Sequence, residues 1–345
     1  MTAVAGVDAA GLTAWLAAAH PELSQDELEV ELIPGGRSNL TYAVTGARIP
    51  LIVRRPPLGH VLASAHDMRR EHRVIHALAG STVPVPVAVD VVDDTDDAAV
   101  TGTVFFVMER AHGRVLAQPS HNAGLTASGA RSLSLELART LADLHAVDPA
   151  EIGLADFGRP EGYLQRQLST WRRQLDASRS RDTSELDLLQ GRLADGMPPA
   201  ARAGIVHGDY RLDNVLIVGD GDAPEVSAVL DWEMATLGDP LVDLGMFGLY
   251  WEISEVADGL RDVVPSAVDS AVGYPSFDEL VEAYAAHARI GIPDLSWYRA
   301  FAAYKLAVIL EGIHFRYQSG ATLGDGFDRI GELVAPLARH GLEMH

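Results

Sequence analysis

Residues Ile205–Gly245 read IVHGDYRLDNVLIVGDGDAPEVSAVLDWEMATLGDPLVDLG. Val215–Val218 is an apolar strand, Gly219-Asp220-Gly221-Asp222 supplies turn residues, and Val226–Leu230 is a returning strand of similar length. Closing that hairpin brings its outer ends together, so Asn214 and Asp231 are expected side by side although far apart in sequence. Asp209 precedes them on the leading loop and is expected to face the same small volume. Taken singly, Asp and Asn near turns satisfy backbone N–H groups. A hairpin pair with a further carboxylate beside it suits Mg²⁺ instead, a metal that keeps its waters and takes one or two protein oxygens plus substrate phosphates. Asp209 then remains as the base or orienting group for an attacking hydroxyl, its carboxylate free of the metal.

HGDYRLDN, followed by VLDWE and GDPLVDLG, resembles the catalytic core of the aminoglycoside phosphotransferase-like branch of the protein-kinase-like fold. It is especially similar to the kinase-like domains related to those fused to acyl-CoA dehydrogenases. The resemblance implies an α+β, bilobal fold with a small β-rich N-lobe carrying one main helix and a larger helical C-lobe. It also implies ATP and Mg²⁺ as cofactors, Asp209 as catalytic base, Asn214 and Asp231 as Mg²⁺ ligands, and His207 and Asp243 as braces of the loop. Asp239 of Gly-Asp-Pro is expected to cap the helix that follows.

The whole chain is compatible with that reading. Its 345 residues can bury a substantial core, and 48% hydrophobic with 22% charged residues is an ordinary globular composition. A formal charge of -21, from 48 acidic and 27 basic residues, argues against a surface that tracks nucleic-acid phosphates. There is no cysteine, hence no disulfide, thiolate metal site or cysteine nucleophile. The first twenty residues carry no Lys or Arg, and no apolar run approaches the roughly 18 residues of a membrane span, so a soluble cytoplasmic protein is expected. Lys305 is the only lysine; any role usually given to a lysine elsewhere must fall to Arg.

Read from the N-terminus, residues 7–19 suggest a short helix with Asp8 as N-cap and Leu12, Trp15 and Leu16 on one face. Strand signals follow at Leu28–Ile33, Leu40–Val44, Pro50–Arg54 and Thr103–Met108. One helix interrupts them, starting near Ser64, placing Met68, Glu71, Ile75 and Leu78 on one side and ending at Gly80. After Arg110 the pattern turns helical: Leu133, Leu137, Leu141 and Leu144 mark a helix over 126–146, and Ser296–Tyr317 a long one. Residues 176–203 read as a polar, mobile helix and connector. No internal repeat or low-complexity tract is visible. The expected domains are 1–110, a nucleotide clamp, and 111–345, a helical lobe with the catalytic loop and acceptor site.

The small lobe must then supply a cover for the phosphates, a cation and a carboxylate that positions it. The cover is the turn Gly35-Gly36-Arg37-Ser38-Asn39, where glycines would let backbone N–H groups approach an anion; an ordinary β-turn is the alternative. No lysine exists in this lobe, so Arg54, closing LIVR, takes the cation's place in resemblance to the family's VLR strand. Arg55 is its competitor on the opposite face. Glu71 sits among apolar residues, where a lone carboxylate is costly, and is paired with Arg54; an exposed surface salt bridge is the alternative. Backbone groups of Glu109, Arg110 and Ala111 are expected at the adenine edge, as in the family's hinge.

The acceptor candidates, by analogy on the large lobe, are Tyr210, Arg211, Trp251, Trp297, Tyr304 and Arg316. No acidic cluster specifies an amine-rich sugar, and FAAYKLAVILEGIHFRYQSG resembles the acyl-CoA-dehydrogenase-linked group, for which hydroxyacyl thioesters are an acceptor class. The expected activity is transfer of the ATP γ-phosphoryl group to a hydroxyl of a small molecule. Its alternative is a catalytically silent nucleotide-binding module of the same fold. Protein substrates are disfavoured because no APE-like stretch follows Asp231.

Overall fold

The computed structural model describes residues 4–34, 39–58, 67–200, 202–256, 260, 263–320 and 327–345. The chain divides into a small unit, Met1–Gly113 with Ser227–Glu233, and a large unit, Arg114–Val226 with Met234–His345.

The small unit opens with α1 (Ala9–Ala19), whose N-cap Asp8 accepts a hydrogen bond from the Gly11 N–H at 2.8 Å. Next come β1 (Glu29–Leu32), β2 (Leu40–Thr45), β3 (Leu51–Arg55), α2 (Met68–Leu78), β4 (Ala88–Asp93) and β5 (Val104–Glu109). The strands form one antiparallel sheet in the order β1-β2-β3-β5-β4. Strand alternation sorts its side chains. Tyr42, Val44, Leu51, Val53, Phe105 and Val107 share a core with Leu12 and Leu16 of α1. Ile52 and Arg54 fall on the other face, in register with Met108 and Phe106 of β5.

Helix α2 packs on β4 and β5. Its N-cap is Asp67, which accepts from the Arg70 N–H at 3.1 Å; Ser64, the expected start, lies outside the described residues. Helix α2 ends at Leu78, just before Gly80 at φ +87°. Strand β4 has no counterpart among the strand signals read above. Pro84 and Pro86 precede it, it is an edge strand of half-buried residues, and its register with β5 shifts between Ala88 and Asp90.

The large unit begins its helices with α3 (Ala127–Ala146), capped by Thr126 and burying Leu133, Leu137, Leu141 and Leu144. Helices α4 (Tyr163–Ser178) and α5 (Ser184–Asp195) follow. Helix α5 lies within 176–203, where a helix and connector were expected. The polar residues there form one face, and Leu186, Leu189 and Leu193 are buried at helical spacing against α9 and α10. Strand β6 (Gly204–Val206) is followed along the chain by β7 (Val215–Val218) and β8 (Glu225–Val229), a two-stranded sheet whose second strand runs into the small unit's segment Ser227–Glu233, and β9 (Thr236–Gly238) pairs back on β6. Helices α6 (Leu241–Trp251), α7 (Ile253–Val256), α8 (Phe277–Ala288), α9 (Ser296–Gln318) and α10 (Val334–Met344) complete the unit.

Helix α9 is its axis: from Trp297 to Glu311 nearly every side chain is buried, and α4, α5, α6 and α10 pack around it. Gly245 of α6 permits the closest of these approaches, since a Cβ there would lie 2.3 Å from the Tyr298 carbonyl oxygen. Among the described residues no helix is long and apolar enough to cross a membrane.

Candidate active site

In the large unit, β6 delivers the chain to His207-Gly208-Asp209, and the four backbone polar groups of Gly208 and Asp209 are each held by a side chain. Asp243, from the first turn of α6, accepts from the His207 N–H at 2.7 Å and the Gly208 N–H at 2.8 Å. Lys305 Nζ of α9 donates to the Gly208 carbonyl at 2.5 Å. The Asp209 N–H donates to His207 Nδ1 at 3.2 Å. Asn214 Nδ2 donates to the Asp209 carbonyl and to Asp209 Oδ2, both at 2.9 Å. Buried backbone groups must find partners, and a loop without a ladder finds them in side chains. Gly208 itself has φ +87°, and a Cβ there would sit 2.9 Å from both Met234 Cβ and the Met234 carbonyl oxygen.

Electrostatics support the same frame. Asp243 is fully buried; burial alone would raise its pKa, yet the His145 hydrogen bond, the His145 and His207 rings and the Gly208 N–H outweigh it and hold the carboxyl below its ordinary value. His145 Nε2 lies 3.2 Å from Asp243 Oδ2 and Nδ1 lies 2.8 Å from the Tyr284 hydroxyl; burial lowers its pKa. His207 and Asp243 thus brace the loop from inside. Asp209 is 22% exposed, and Arg211 Nε stands 3.4 Å from its Oδ2 and 3.2 Å from Asp213 Oδ1. Asp239 accepts from the Leu241 N–H at 3.1 Å and the Tyr298 hydroxyl at 2.9 Å, a capping contact at the start of α6.

In the small unit, Arg54 links two carboxylates, with Nη1 3.1 Å from Glu71 Oε1 and Nη2 3.1 Å from Asp231 Oδ1. Glu71 is 1% exposed, and burial pushes its pKa up to about 7 against the pull of Arg54. Burial also works against the Arg54 charge, but Glu71, Asp231 and Glu233 more than offset it and raise the arginine pKa. Arg55 points the other way, donating to the Gly6 and Thr101 carbonyls at 2.7 and 3.1 Å. Asp231 has φ +64°, a left-handed conformation that is uncommon outside glycine and characteristic of functional turns. Of the expected phosphate cover, Gly35, Gly36, Arg37 and Ser38 lie outside the described residues. Asn39 is buried and donates from Nδ2 to Glu233 Oε2 at 2.9 Å. At the expected adenine edge the N–H groups of Glu109 and Arg110 donate to the Val87 and Pro50 carbonyls at 2.8 and 2.9 Å. A base docking there would have to use the remaining backbone groups of the segment, among them the Ala111 N–H.

A family model described as "APH: Phosphotransferase enzyme family" matches residues 29–301. The chain belongs to this phosphotransferase family. A solved structure from Ralstonia eutropha, provisionally described as an aminoglycoside phosphotransferase, is 32% identical, with 98% of each chain covered and a TM-score of 0.82. The family's protein-kinase-like fold is also seen in the GDP complex of aminoglycoside 2′-phosphotransferase IIIa, 18% identical, covering 96% of this chain and 99% of that one with a TM-score of 0.60. Acyl-CoA dehydrogenase family member 11 of Gallus gallus is 33% identical over 94% of this chain, which spans 41% of that protein's length.

For this phosphotransferase the acceptor candidates separate on burial. Tyr210, Trp251, Trp297 and Tyr304 are core residues, and the Tyr210 hydroxyl and the Trp251 and Trp297 indole N–H groups donate to the Leu137, Pro275 and Leu193 carbonyls at 2.8, 2.9 and 2.9 Å. They are aromatic because the core needs volume, and burial gives these four a packing role. Arg316 is exposed near the end of α9. Arg211 and Trp251 do come together, in a recess shared with Leu212, Phe247, Tyr250 and Ile253. The recess has about 30 Å³ of space, room for one water. Arg211 lies 4.6 Å above the Tyr250 ring. Sequence reading passed over His145, Glu233 and Lys305 as site residues. Glu233 stands inside the VLDWE motif, and Lys305 was marked by being unique; nothing local marks His145.

Proposed function

We propose that the chain transfers the γ-phosphoryl group of ATP to a hydroxyl of a small molecule, with Asp209 as the base that accepts the hydroxyl proton. The observation that carries this reading is the complete immobilisation of the Asp209 backbone together with a partly exposed carboxylate. The Asn214 and Arg211 contacts both fall on Oδ2, so Oδ1 is the oxygen left to meet the acceptor. A base held this way is pre-positioned, which is the main contribution a protein makes to phosphoryl transfer.

Asn214 and Asp231 are the proposed Mg²⁺ ligands, each considered by itself. Their chemistry fits. Asn214 commits its amide nitrogen to Asp209, so its oxygen is the atom available to a cation; Asp231 engages Arg54 through Oδ1 and keeps Oδ2. When bound, the ion would neutralise charge on the nucleotide phosphates. Arg54 supplies the fixed positive charge of the small unit, held in place by Glu71.

The acceptor is an aminoglycoside-like sugar or a hydroxyacyl thioester type of compound. The recess beside Arg211 favours the second, because Asp213 is the one carboxylate among its described lining residues and an amine-rich sugar needs several. The silent nucleotide-binding module is the second reading, favoured by an Arg54 guanidinium already engaged with two carboxylates. The test is Mg²⁺-dependent ATP turnover against a library of hydroxylated metabolites, with Asp209→Ala as control. Turnover abolished by that substitution supports the kinase; ATP binding with no turnover on any acceptor supports the module.

A further inference from the structure

Lys305 is the only lysine of the chain, and it lies in the middle of α9, 4% exposed. Placing an ammonium there is unfavourable, because desolvation of a charge is returned only by close counter-charges or several hydrogen bonds. Lys305 has neither in full. Its partners are one neutral carbonyl, that of Gly208 at 2.5 Å, and the face of Trp171 at 5.5 Å. Asp209 and Asp243 act on it only as more distant charges, opposing the fall in pKa that burial causes. A leucine or methionine would suit this core better. The penalty is tolerated at the position that touches the loop carrying Asp209.

The peptide between Gly208 and Asp209 is the link that sets the direction of Asp209. Its N–H is tied to His207 Nδ1 and its C=O to Lys305, so the two bonds pin opposite edges of one plane. The preceding peptide is tied through the Gly208 N–H to Asp243, and the following one through the Asp209 C=O to Asn214. Lys305 alone of these four comes from α9. An arginine would bring a broad planar fork to a place that admits a single donor, which accounts for a lysine in an arginine-rich sequence.

We infer that Lys305 is a positioning residue for phosphoryl transfer, its ammonium locking the Gly208–Asp209 peptide so that the Asp209 carboxylate faces the acceptor. This rests on the proposed role of Asp209. It also implies a trade: removing the charge relieves the core while releasing the loop.

The experiment compares the full-length wild type with Lys305→Met, close in shape but without donor or charge. Expected is a loss of kcat of about 10- to 100-fold, as for a small misplacement of a catalytic group, with KM for ATP unchanged and Tm equal to or above that of the wild type. A kcat within twofold of wild type overturns the inference. Should Lys305→Met be too unstable to assay, or should the wild type turn over no acceptor, so that the Asp209 reading itself fails, a second measurement decides. In wild-type protein grown with ¹⁵N-lysine, the one lysine gives a single side-chain signal. The inference requires an ammonium signal in slow exchange with water that shifts when Mg²⁺ and AMP-PNP are added. A signal in fast exchange, or one indifferent to the nucleotide, overturns it independently of turnover.

Discussion

Asn214 holds Asp209 at two points, donating through one amide nitrogen to the backbone carbonyl and to the carboxylate, each at 2.9 Å. The arrangement ties the direction of a side chain to the path of its own backbone. Rotating Asp209 away breaks one bond, and shifting the loop breaks the other. The amide can do both and still turn an oxygen outward, which neither a carboxylate nor an alkyl group at this position could do.

Asn214→Ala is therefore expected to lower kcat by at least about 100-fold, because a base displaced by about 1 Å loses that much. Stability should fall by only about 1–2 kcal/mol, the value of a lost hydrogen bond. Turnover and urea unfolding on the same preparation measure both. Retention of a tenth or more of the wild-type kcat would show that Asn214 neither orients the base nor serves the nucleotide.

In the small unit the pair to break is Arg54–Glu71. Arg54→Met strands a carboxylate that is 1% exposed and should cost about 3–5 kcal/mol. The double variant Arg54→Met, Glu71→Leu removes both charges and should recover most of that loss while remaining unable to bind ATP. If instead the double variant binds ATP as well as the wild type, Arg54 is a structural ion pair only. Urea midpoints with equilibrium nucleotide titration separate the two outcomes.

How much of this was legible in the sequence depends on the distance over which each partner acts. The turn of hairpin β7–β8, the Asp8 cap and the leucine stripe of α3 are local patterns and could be read directly. Arg54 against Arg55 was decided by strand alternation, and burial of Glu71 by its apolar neighbours along α2. Strand β4 was hidden because Pro84 and Pro86 mask an edge strand whose residues are only half buried. Helix α5 was read as a helix, but not as a packed one, because its exposed face carries the polar residues that resemble a connector. The return of Ser227–Glu233 to the small unit and the Asn39–Glu233 bond join residues far apart in sequence, which no periodicity encodes. The aromatic acceptor candidates were ambiguous for a different reason: aromatic side chains serve a core and a pocket equally well, and only burial tells them apart.

Gly208→Ala tests the backbone directly. At φ +87°, with Met234 atoms 2.9 Å from the added carbon, the substitution is strained by both dihedral and contact. A cost of about 1–3 kcal/mol is expected. Because the strain relaxes by rotating the peptide that leads into Asp209, kcat should fall further than stability alone explains. Thermal unfolding beside turnover at a temperature well below Tm checks this; a variant destabilised but fully active would place the constraint in folding only.

The two units should respond to acid in opposite directions. In the large unit His145 has a lowered pKa and Asp243 a lowered one. Below the ordinary histidine value of 6.5 the unfolded chain binds the imidazole proton first, so stability falls as pH drops through that value. Asp243 adds loss of the same sign once the pH passes below 3.8. In the small unit Glu71 is raised from 4.5 to about 7, so the folded state holds its proton more tightly and stability falls as pH rises across that interval. The difference in Tm between about pH 7.5 and about pH 5.5 resolves the two terms. His145→Gln removes a contribution that favours the higher pH and should shrink that difference. Glu71→Gln removes one that favours the lower pH and should enlarge it. No change in that difference on Glu71→Gln would mean that Arg54 keeps Glu71 ionised throughout, and that the buried pair behaves as a permanent ion pair.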